Sequence, residues 1–156
     1  MKNDPIFIQD NTSSSSYLLD TNILIYALDS KSPFFTKTKD IFLKIKKGEI
    51  IAYVAQQNII EAESVLTKAY KQNVIKVVQS LENVINSFQI TIISPLSTTL
   101  YSFHQIVKQR IPSRMDLFDA YLCATMLDNS LSHILTNNES DFKGIKGISA
   151  VNPFKT

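Results

Sequence analysis

The sequence has few of the residues on which several common protein classes depend. It contains one cysteine, Cys123, three glycines, two histidines and no tryptophan among 156 residues. A single cysteine excludes an internal disulfide and fits a reducing cytoplasm, which is the compartment that we expect. Because all three glycines follow residue 47, a glycine-rich phosphate loop near the N-terminus is excluded as well.

Metal-binding histidines and long apolar runs are also missing. His104 and His133 are far apart and have no ligand spacing, so a zinc site of His and Cys is not expected. No apolar run approaches the roughly 18 residues of a transmembrane helix, and we expect no membrane association. Residues 1–16, MKNDPIFIQDNTSSSS, lack the apolar core of a signal peptide, and their serine run predicts a flexible leader.

The composition indicates one globular domain over residues 17–156. Hydrophobic residues make up 44% and charged residues 19% of the chain, as in ordinary globular proteins. The net charge of +2 permits a nucleic-acid partner but does not argue for one.

Apolar segments of strand length alternate with helical patterns along the chain. We predict strands at residues 17–19, 50–54, 89–93, 133–135 and 148–151. Helices are predicted at about 21–28, 33–47, 57–70, 73–87, 97–110 and 116–129. Because helical segments separate the strands, the pattern predicts parallel pairing and a layered α/β domain. In such domains the ligand crevice lies beyond the carboxyl ends of the strands, where strand order reverses.

Asp20 stands between two apolar segments, at the carboxyl end of the first predicted strand. An aspartate there can cap the helix that begins at Thr21, because it accepts a bond from first-turn N–H groups. Its place at a strand end also suits a functional site, and the two roles can coexist.

Two other predicted helices carry carboxylates among apolar residues. Glu61 is four residues before Val65 and is predicted to face the buried stripe, where a lysine salt bridge and a site role both remain open. Asp116 can cap its helix, whereas Asp119 lies too far inside for capping alone to explain it. Because like charges this close repel each other, a divalent cation is the economical explanation.

Polar residues also follow the fourth predicted strand, at Thr136, Asn137, Asn138 and Asp141. If strands 1 and 4 flank the reversal of strand order, this loop meets Asp20. Oxygen ligands without His or Cys suit Mg²⁺ or Mn²⁺. A carboxylate cluster of this kind is typical of phosphodiester hydrolysis, because the metal lowers the pKa of a bound water.

Four segments, in order, resemble the motifs of PIN-domain nucleases. Asp20 in LLDTNILIYALD resembles the first motif, Glu61 in QNIIEAESVLTK the second, and Asp119 in DLFDAYLCATML the third. The segment LTNNESDFKGIKGISAVNP resembles the last, through Thr136, Asn138, Asp141 and Phe142. The resemblance spans roughly residues 17–153.

This resemblance implies a three-layer α/β/α domain, with a mostly parallel sheet of about five strands, and a metal-dependent endoribonuclease activity. It implies that Asp20, Glu61 and Asp119 bind Mg²⁺ or Mn²⁺, while Asp116 positions water or a second ion. The auxiliary residues that it implies are Thr21, Asn22, Thr136, Asn138 and Asp141.

Short single-domain members of this family resemble VapC-type toxins. The resemblance therefore implies an RNA substrate, with tRNA among the candidates, a cognate antitoxin and a homodimer. Asn138 stands where many members carry aspartate, and an amide contributes no charge. One bound ion is expected, and a second depends on Asp141.

Basic residues precede the acidic helix in VKQRIPSRMD. We predict that Lys108, Arg110 and Arg114 guide RNA, the alternative being that they complement a helix C-terminal dipole. Tyr26 and Tyr53 fit core packing better than base stacking. The rival functions are a PIN fold that binds RNA or protein without cutting, a PIN nuclease outside toxin–antitoxin pairs, and another Mg²⁺-dependent phosphohydrolase.

Overall fold

A computed structural model describes residues 15–109 and 116–155. Its strands are β1 (Ser15–Leu19), β2 (Ile50–Ala55), β3 (Thr91–Ile93), β4 (His133–Leu135) and β5 (Ser149–Val151). Its α-helices are α1 (Thr21–Leu28), α2 (Phe35–Lys46), α3 (Gln56–Lys68), α4 (Val74–Ser87), α5 (Thr99–Gln109) and α6 (Leu117–Asp128), and a short 3-10 helix covers Glu139–Phe142. None of these helices combines the length and the apolar character needed to cross a membrane.

The five strands form one sheet in the order β3-β2-β1-β4-β5, and every pairing in it is parallel. The chain builds outward from β1 through β2 to β3, then crosses back to add β4 and β5 on the other side of β1. Strand order therefore reverses between β1 and β4. The predicted α/β fold with about five parallel strands is confirmed.

Two apolar clusters, one on each face of the sheet, give the domain three layers. Leu18 and Leu19 are both fully buried, and they join different clusters because successive strand residues point to opposite faces. The Leu19 cluster contains residues of α1, α2, α3 and α4. The Leu18 cluster includes Leu122, Cys123 and Met126 of α6. The thiol of Cys123 is thus a packed core group.

Several predicted element boundaries shift by one or two residues, and the first and third strands are the examples that matter most here. Ser15 and Ser16 belong to β1, although the sequence assigned them to the leader; residues 1–14 lie outside the described residues. The third strand begins at Thr91 rather than residue 89, because Gln89 adopts a positive φ of 51°. That conformation ends α4 with a turn and delays the extended segment.

Candidate acidic site at the reversal of strand order

The carboxyl ends of β1 and β4 bring Asp20 and Thr136 into contact. The Asp20 N–H donates to the Leu135 carbonyl at 3.0 Å, and the Thr136 N–H donates to the Val151 carbonyl at 3.0 Å. These bonds continue the sheet past the last strand residues. The Thr136 hydroxyl then donates to Asp20 Oδ2 at 2.6 Å. The predicted meeting of the two strand ends is therefore observed.

The carboxylate of Asp20 accepts hydrogen bonds at both of its oxygens. Oδ1 accepts from the Thr21 N–H at 2.8 Å and from Asn58 Nδ2 at 3.4 Å. Oδ2 accepts from Asn22 Nδ2 at 3.0 Å, in addition to the Thr136 hydroxyl. Asp20 is also the N-cap residue of α1. The capping role and the place at the strand end thus coexist in one side chain.

Burial raises the pKa of Asp20 above its ordinary value of 3.8. The hydrogen bonds from Thr136 and Thr21 lower this pKa, and the charges of Glu61 and Asp141 raise it. The net direction is upward because the cost of burying the charge is the largest influence. Three carboxylates from distant parts of the chain therefore influence one another here.

Glu61 is held by hydrogen bonds, and no lysine forms a salt bridge with it within residues 15–109 and 116–155. The Thr21 hydroxyl donates to Glu61 Oε2 at 2.7 Å, and Gln57 Nε2 donates to Oε1 at 2.9 Å. The first bond joins α3 to the start of α1. Glu61 is therefore fixed beside Asp20 through the residue that follows Asp20.

The prediction that Glu61 shares a buried stripe of α3 with Val65 was wrong. Val65, which was expected to share its buried stripe, is 36% exposed. The buried face of α3 consists instead of Asn58, Ala62 and Leu66. Glu61 is half-buried at the border of that face.

Asp116 and Asp119 lie at the start of α6, where they interact through their charges. Asp116 Oδ1 accepts from the Phe118 N–H at 2.7 Å, so Asp116 caps the helix. Burial, followed by the charges of Asp116, Asp141, Asp20 and Glu61, raises the pKa of Asp119 from 3.8 to about 6. We call Asp20, Glu61, Asp116, Asp119 and Asp141 the acidic cluster.

The donor set of the acidic cluster fits a hard divalent cation. Its side chains offer carboxylate oxygens, which such cations prefer, and burial together with the neighbouring negative charges raises the pKa of Asp119. Within residues 15–109 and 116–155, no three acidic, His or Cys side chains already form a ready-made ligand group.

The other predicted residues lie around this cluster or beyond the described part of the chain. Asn22 Oδ1 accepts from the Asn137 N–H at 3.2 Å, which ties α1 to the loop after β4. The Asn138 N–H donates to the Thr136 hydroxyl oxygen at 3.0 Å, and the Asn138 side chain is exposed. Lys108 is exposed in the last turn of α5. The last two predicted RNA contacts, Arg110 and Arg114, lie outside the described residues.

Two amide side chains that the sequence interpretation missed support the cluster. Asn58 is fully buried and donates to Asp20 and to the Thr21 hydroxyl. It lies four residues before Ala62 on the buried face of α3. A polar residue within this apolar stripe could have identified Asn58 from the sequence. Gln57 Nε2 donates to the Phe118 carbonyl at 3.1 Å as well as to Glu61, and no sequence pattern indicates that contact.

Comparisons with known proteins agree with this architecture. A family model described as PIN domain matches residues 16–140. No curated protein sequence matches the chain.

Several solved structures share the fold at low sequence identity. A toxin–antitoxin complex from Klebsiella pneumoniae is 21% identical, with a TM-score of 0.62 over 90% of this chain and 99% of that one. A DNA-bound VapBC structure from Salmonella typhimurium is 16% identical, with a TM-score of 0.64 over 88% and 98% of the chains. Mycobacterium tuberculosis VapC20, described as a toxin that cleaves the sarcin–ricin loop, is 8% identical, with a TM-score of 0.63 over 85% and 98%.

Proposed function

Because the chain belongs to the PIN-domain family, whose model matches residues 16–140, we propose that it is a metal-dependent endoribonuclease. The reaction is hydrolysis of RNA phosphodiester bonds, and the protein is the toxin of a toxin–antitoxin pair. The observation that carries this proposal is the acidic cluster at the reversal of strand order. There, burial and, after it, the charges of four other carboxylates raise the pKa of Asp119.

Three residues of the cluster are proposed to hold Mg²⁺ or Mn²⁺: Asp20, Glu61 and Asp119. A divalent ion bound there would lower the pKa of a water molecule and neutralise charge that develops on the phosphate. Asp141 is the proposed extra carboxylate, because its charge raises the pKa of both Asp20 and Asp119. It can thereby compensate for the neutral Asn138.

The neighbouring polar residues are proposed to orient the ligands. Thr136 and Asn22 fix Oδ2 of Asp20, and Thr21 fixes Oε2 of Glu61. Such preorganisation matters because ligand atoms held in place need no reorganisation when the metal binds. Asp116, which the helix N-terminus holds through the Phe118 N–H, is proposed to position water.

Contacts with the RNA backbone are proposed at the basic residues before α6. Lys108 is exposed in the last turn of α5, eight residues before Asp116, which caps α6. With Arg110 and Arg114 it would supply cations for phosphate groups, which the acidic cluster alone repels.

The proposed partners are an antitoxin and a second copy of the chain. Their support is the shared fold with a toxin–antitoxin complex from Klebsiella pneumoniae and a VapBC structure from Salmonella typhimurium. An antitoxin that keeps the acidic cluster from RNA would explain how a cell tolerates the enzyme. The proposed substrate is RNA, with tRNA among the candidates.

One observation favours a second candidate, a PIN fold that binds RNA without cutting it. Glu61 is already engaged by Thr21 and Gln57, and Asn138 brings no charge to the cluster. A protein of this kind would bind RNA equally well with and without Mn²⁺. It would leave the bound RNA intact.

The deciding experiment compares matched carboxylate variants of the purified protein on total RNA. Wild-type protein with Mn²⁺ should produce discrete fragments, whereas Glu61→Gln and Asp119→Asn should produce none. Glu63→Gln, on the same helix as Glu61, and the exposed Asp40→Asn are the controls and should cut like the wild type. Intact RNA with every protein, together with metal-independent RNA binding, would favour the non-cutting module.

The toxin role is tested separately in cells without an antitoxin. Induced wild-type protein should arrest growth and fragment RNA, with tRNA monitored among the species, while Asp119→Asn should do neither. Cleavage by the purified enzyme without growth arrest would retain the nuclease and reject the toxin.

A further inference from the structure

Phe118 is a large apolar side chain that the fold leaves exposed beside the acidic cluster. It is 69% exposed, and it occupies the first turn of α6 directly before Asp119. Within the described ranges, no aromatic ring packs against it. An aromatic side chain left in water next to a reactive site is a candidate for contact with a partner.

The backbone at Phe118 is anchored to the same element that carries Glu61. Gln57 Nε2 donates to the Phe118 carbonyl at 3.1 Å and to Glu61 Oε1 at 2.9 Å. The Phe118 N–H in turn donates to Asp116 Oδ1 at 2.7 Å. Both backbone polar groups of Phe118 are therefore bonded to members or neighbours of the acidic cluster. These bonds hold its backbone in place beside the cluster.

We propose that the Phe118 ring is a stacking platform for a nucleobase of the RNA, next to the phosphodiester at the acidic cluster. This inference rests on the proposed ribonuclease function. Stacking suits the location because a base is uncharged, whereas phosphates away from the metal would be repelled by the carboxylates. Every base has a π-face, so the platform sets the position of a nucleotide rather than its identity.

The tyrosines that the sequence offered for stacking are used in packing. Tyr26 packs against Phe34 and Phe154, with ring centroids 4.8 and 5.5 Å apart. Its hydroxyl oxygen accepts from Asn137 Nδ2 at 3.1 Å. Tyr53 is half-buried against the Leu18 cluster. Neither ring is presented to solvent as Phe118 is.

Tyr101 provides a matched control on the neighbouring helix. It is 70% exposed, so its ring is as accessible as that of Phe118. The next residue, Ser102, donates to Asp128 Oδ1 at 2.7 Å, which places Tyr101 at the end of α6 away from Asp119. The helical rise between Asp119 and Asp128 separates the two ends by about 14 Å.

The first experiment measures steady-state cleavage of a single-stranded RNA oligonucleotide by four proteins. Phe118→Ala should raise KM by roughly 5- to 150-fold, the loss expected for one stacked base, with kcat changed far less. Phe118→Tyr, which keeps an aromatic ring, should have the wild-type KM, and Tyr101→Ala should leave KM unchanged. An unchanged KM in Phe118→Ala, or an equal rise in Tyr101→Ala, would overturn the inference.

The second experiment uses the absence of tryptophan from the chain. Phe118→Trp and Tyr101→Trp each carry a single fluorophore, and both are titrated with RNA in Ca²⁺ in place of Mg²⁺. An abasic oligonucleotide of equal length serves as the second probe, and anisotropy of the labelled RNA reports binding independently. Quenching at position 118 by RNA, but not by the abasic probe and not at position 101, would support stacking.

The other outcomes separate this inference from the proposed function. Normal binding and cleavage without quenching at position 118 would overturn the platform and leave the ribonuclease standing. Absence of both RNA binding and cleavage in the wild type would reject the function, and the platform with it. If Phe118→Ser instead converted a dimer to a monomer in size-exclusion chromatography, the ring would belong to a subunit interface, and the proposal would fail.

Discussion

The Thr136 hydroxyl donates a 2.6 Å hydrogen bond to Asp20 Oδ2 across the point where strand order reverses. Thr136 is fully buried, and its oxygen also accepts from Asn22 Nδ2 at 3.3 Å and from the Asn138 N–H at 3.0 Å. One hydroxyl therefore connects the first strand end, the first helix and the loop after β4. This connection makes Thr136 a structural residue as well as a guide for the Asp20 carboxylate.

Thr136→Val should therefore harm both stability and activity. The valine keeps the shape but leaves three polar partners without their bond, which costs about 1–3 kcal/mol for a buried group. Loss of the donor should also raise the pKa of Asp20 further and weaken cleavage. Urea unfolding and RNA cleavage measure the two effects, and Thr136→Ser, which retains the hydroxyl, should stay close to the wild type. Equal stability of Thr136→Val and wild type would show that these bonds contribute little.

Two aspartate-to-asparagine changes in the same cluster should shift stability in opposite directions. All four neighbours of Asp20 donate to its carboxylate, so Asp20→Asn turns an NH₂ group toward donors and should lower the melting temperature. Asp119→Asn removes a charge that burial and other carboxylates disfavour, and should raise it. Differential scanning calorimetry without metal compares the two variants. A rise for both would mean that charge relief outweighs the lost acceptors.

The position of Asp20 at a strand end could be predicted because the pattern that indicates it is local in the sequence. A polar residue directly after an apolar strand is visible in the chain, and the alternation of strands and helices places strand ends at one edge of the sheet. Thr136 was found in the same way, after β4. The order β3-β2-β1-β4-β5 then confirmed that these two strands are neighbours.

Contacts that depend on how helices pack could not be predicted in this way. Gln57 reaches the Phe118 carbonyl across 61 positions of the chain, and nothing in either segment encodes that distance. Glu61 was chosen through a supposed buried neighbour, Val65, that is in fact 36% exposed. Helical periodicity therefore gave the wrong neighbour for Glu61, and its place beside Asp20 depends on the Thr21 hydroxyl, which donates to Glu61 Oε2.

The raised pKa of Asp119 should make the metal-free protein lose stability as pH rises. Its folded pKa, about 6, lies above the ordinary value of 3.8, so the folded state binds more protons between these pH values. Stability should thus fall from about pH 4 to pH 6 and then level off. After allowance for solvent screening, this contribution is about 1–2 kcal/mol.

Unfolding by urea in EDTA, repeated across that pH range, measures this effect. Asp119→Asn should lack this part of the decline, whereas the exposed Asp40→Asn should retain it. Identical pH profiles for all three proteins would show that neither burial nor the neighbouring carboxylates raise the pKa of Asp119.

Addition of Mn²⁺ should stabilise the folded protein, because a bound cation offsets the repulsion among the clustered carboxylates. An ion that binds the folded state at a concentration 100 times its Kd stabilises it by about 2.7 kcal/mol. The melting temperature of the wild type should therefore rise with Mn²⁺ at pH 7, as should that of Asp40→Asn. Asp119→Asn should respond much less, because it loses one of the proposed ligands. A similar rise in all three proteins would place the ion elsewhere on the molecule.

Gln57 should act as a positioning residue, because it bonds Glu61 and the start of α6 through one NH₂ group. Gln57→Leu keeps much of the volume but releases both acceptors, so Glu61 and Asp119 lose a fixed separation. We expect the Mn²⁺ concentration for half-maximal cleavage to rise by about 10-fold or more, the usual cost of losing groups that orient metal ligands. The exposed Gln56→Leu, one residue earlier, is the matched control and should leave the metal dependence unchanged. A lower kcat in Gln57→Leu at an unaltered Mn²⁺ requirement would instead mean that the amide supports the helix start without guiding the metal ligands.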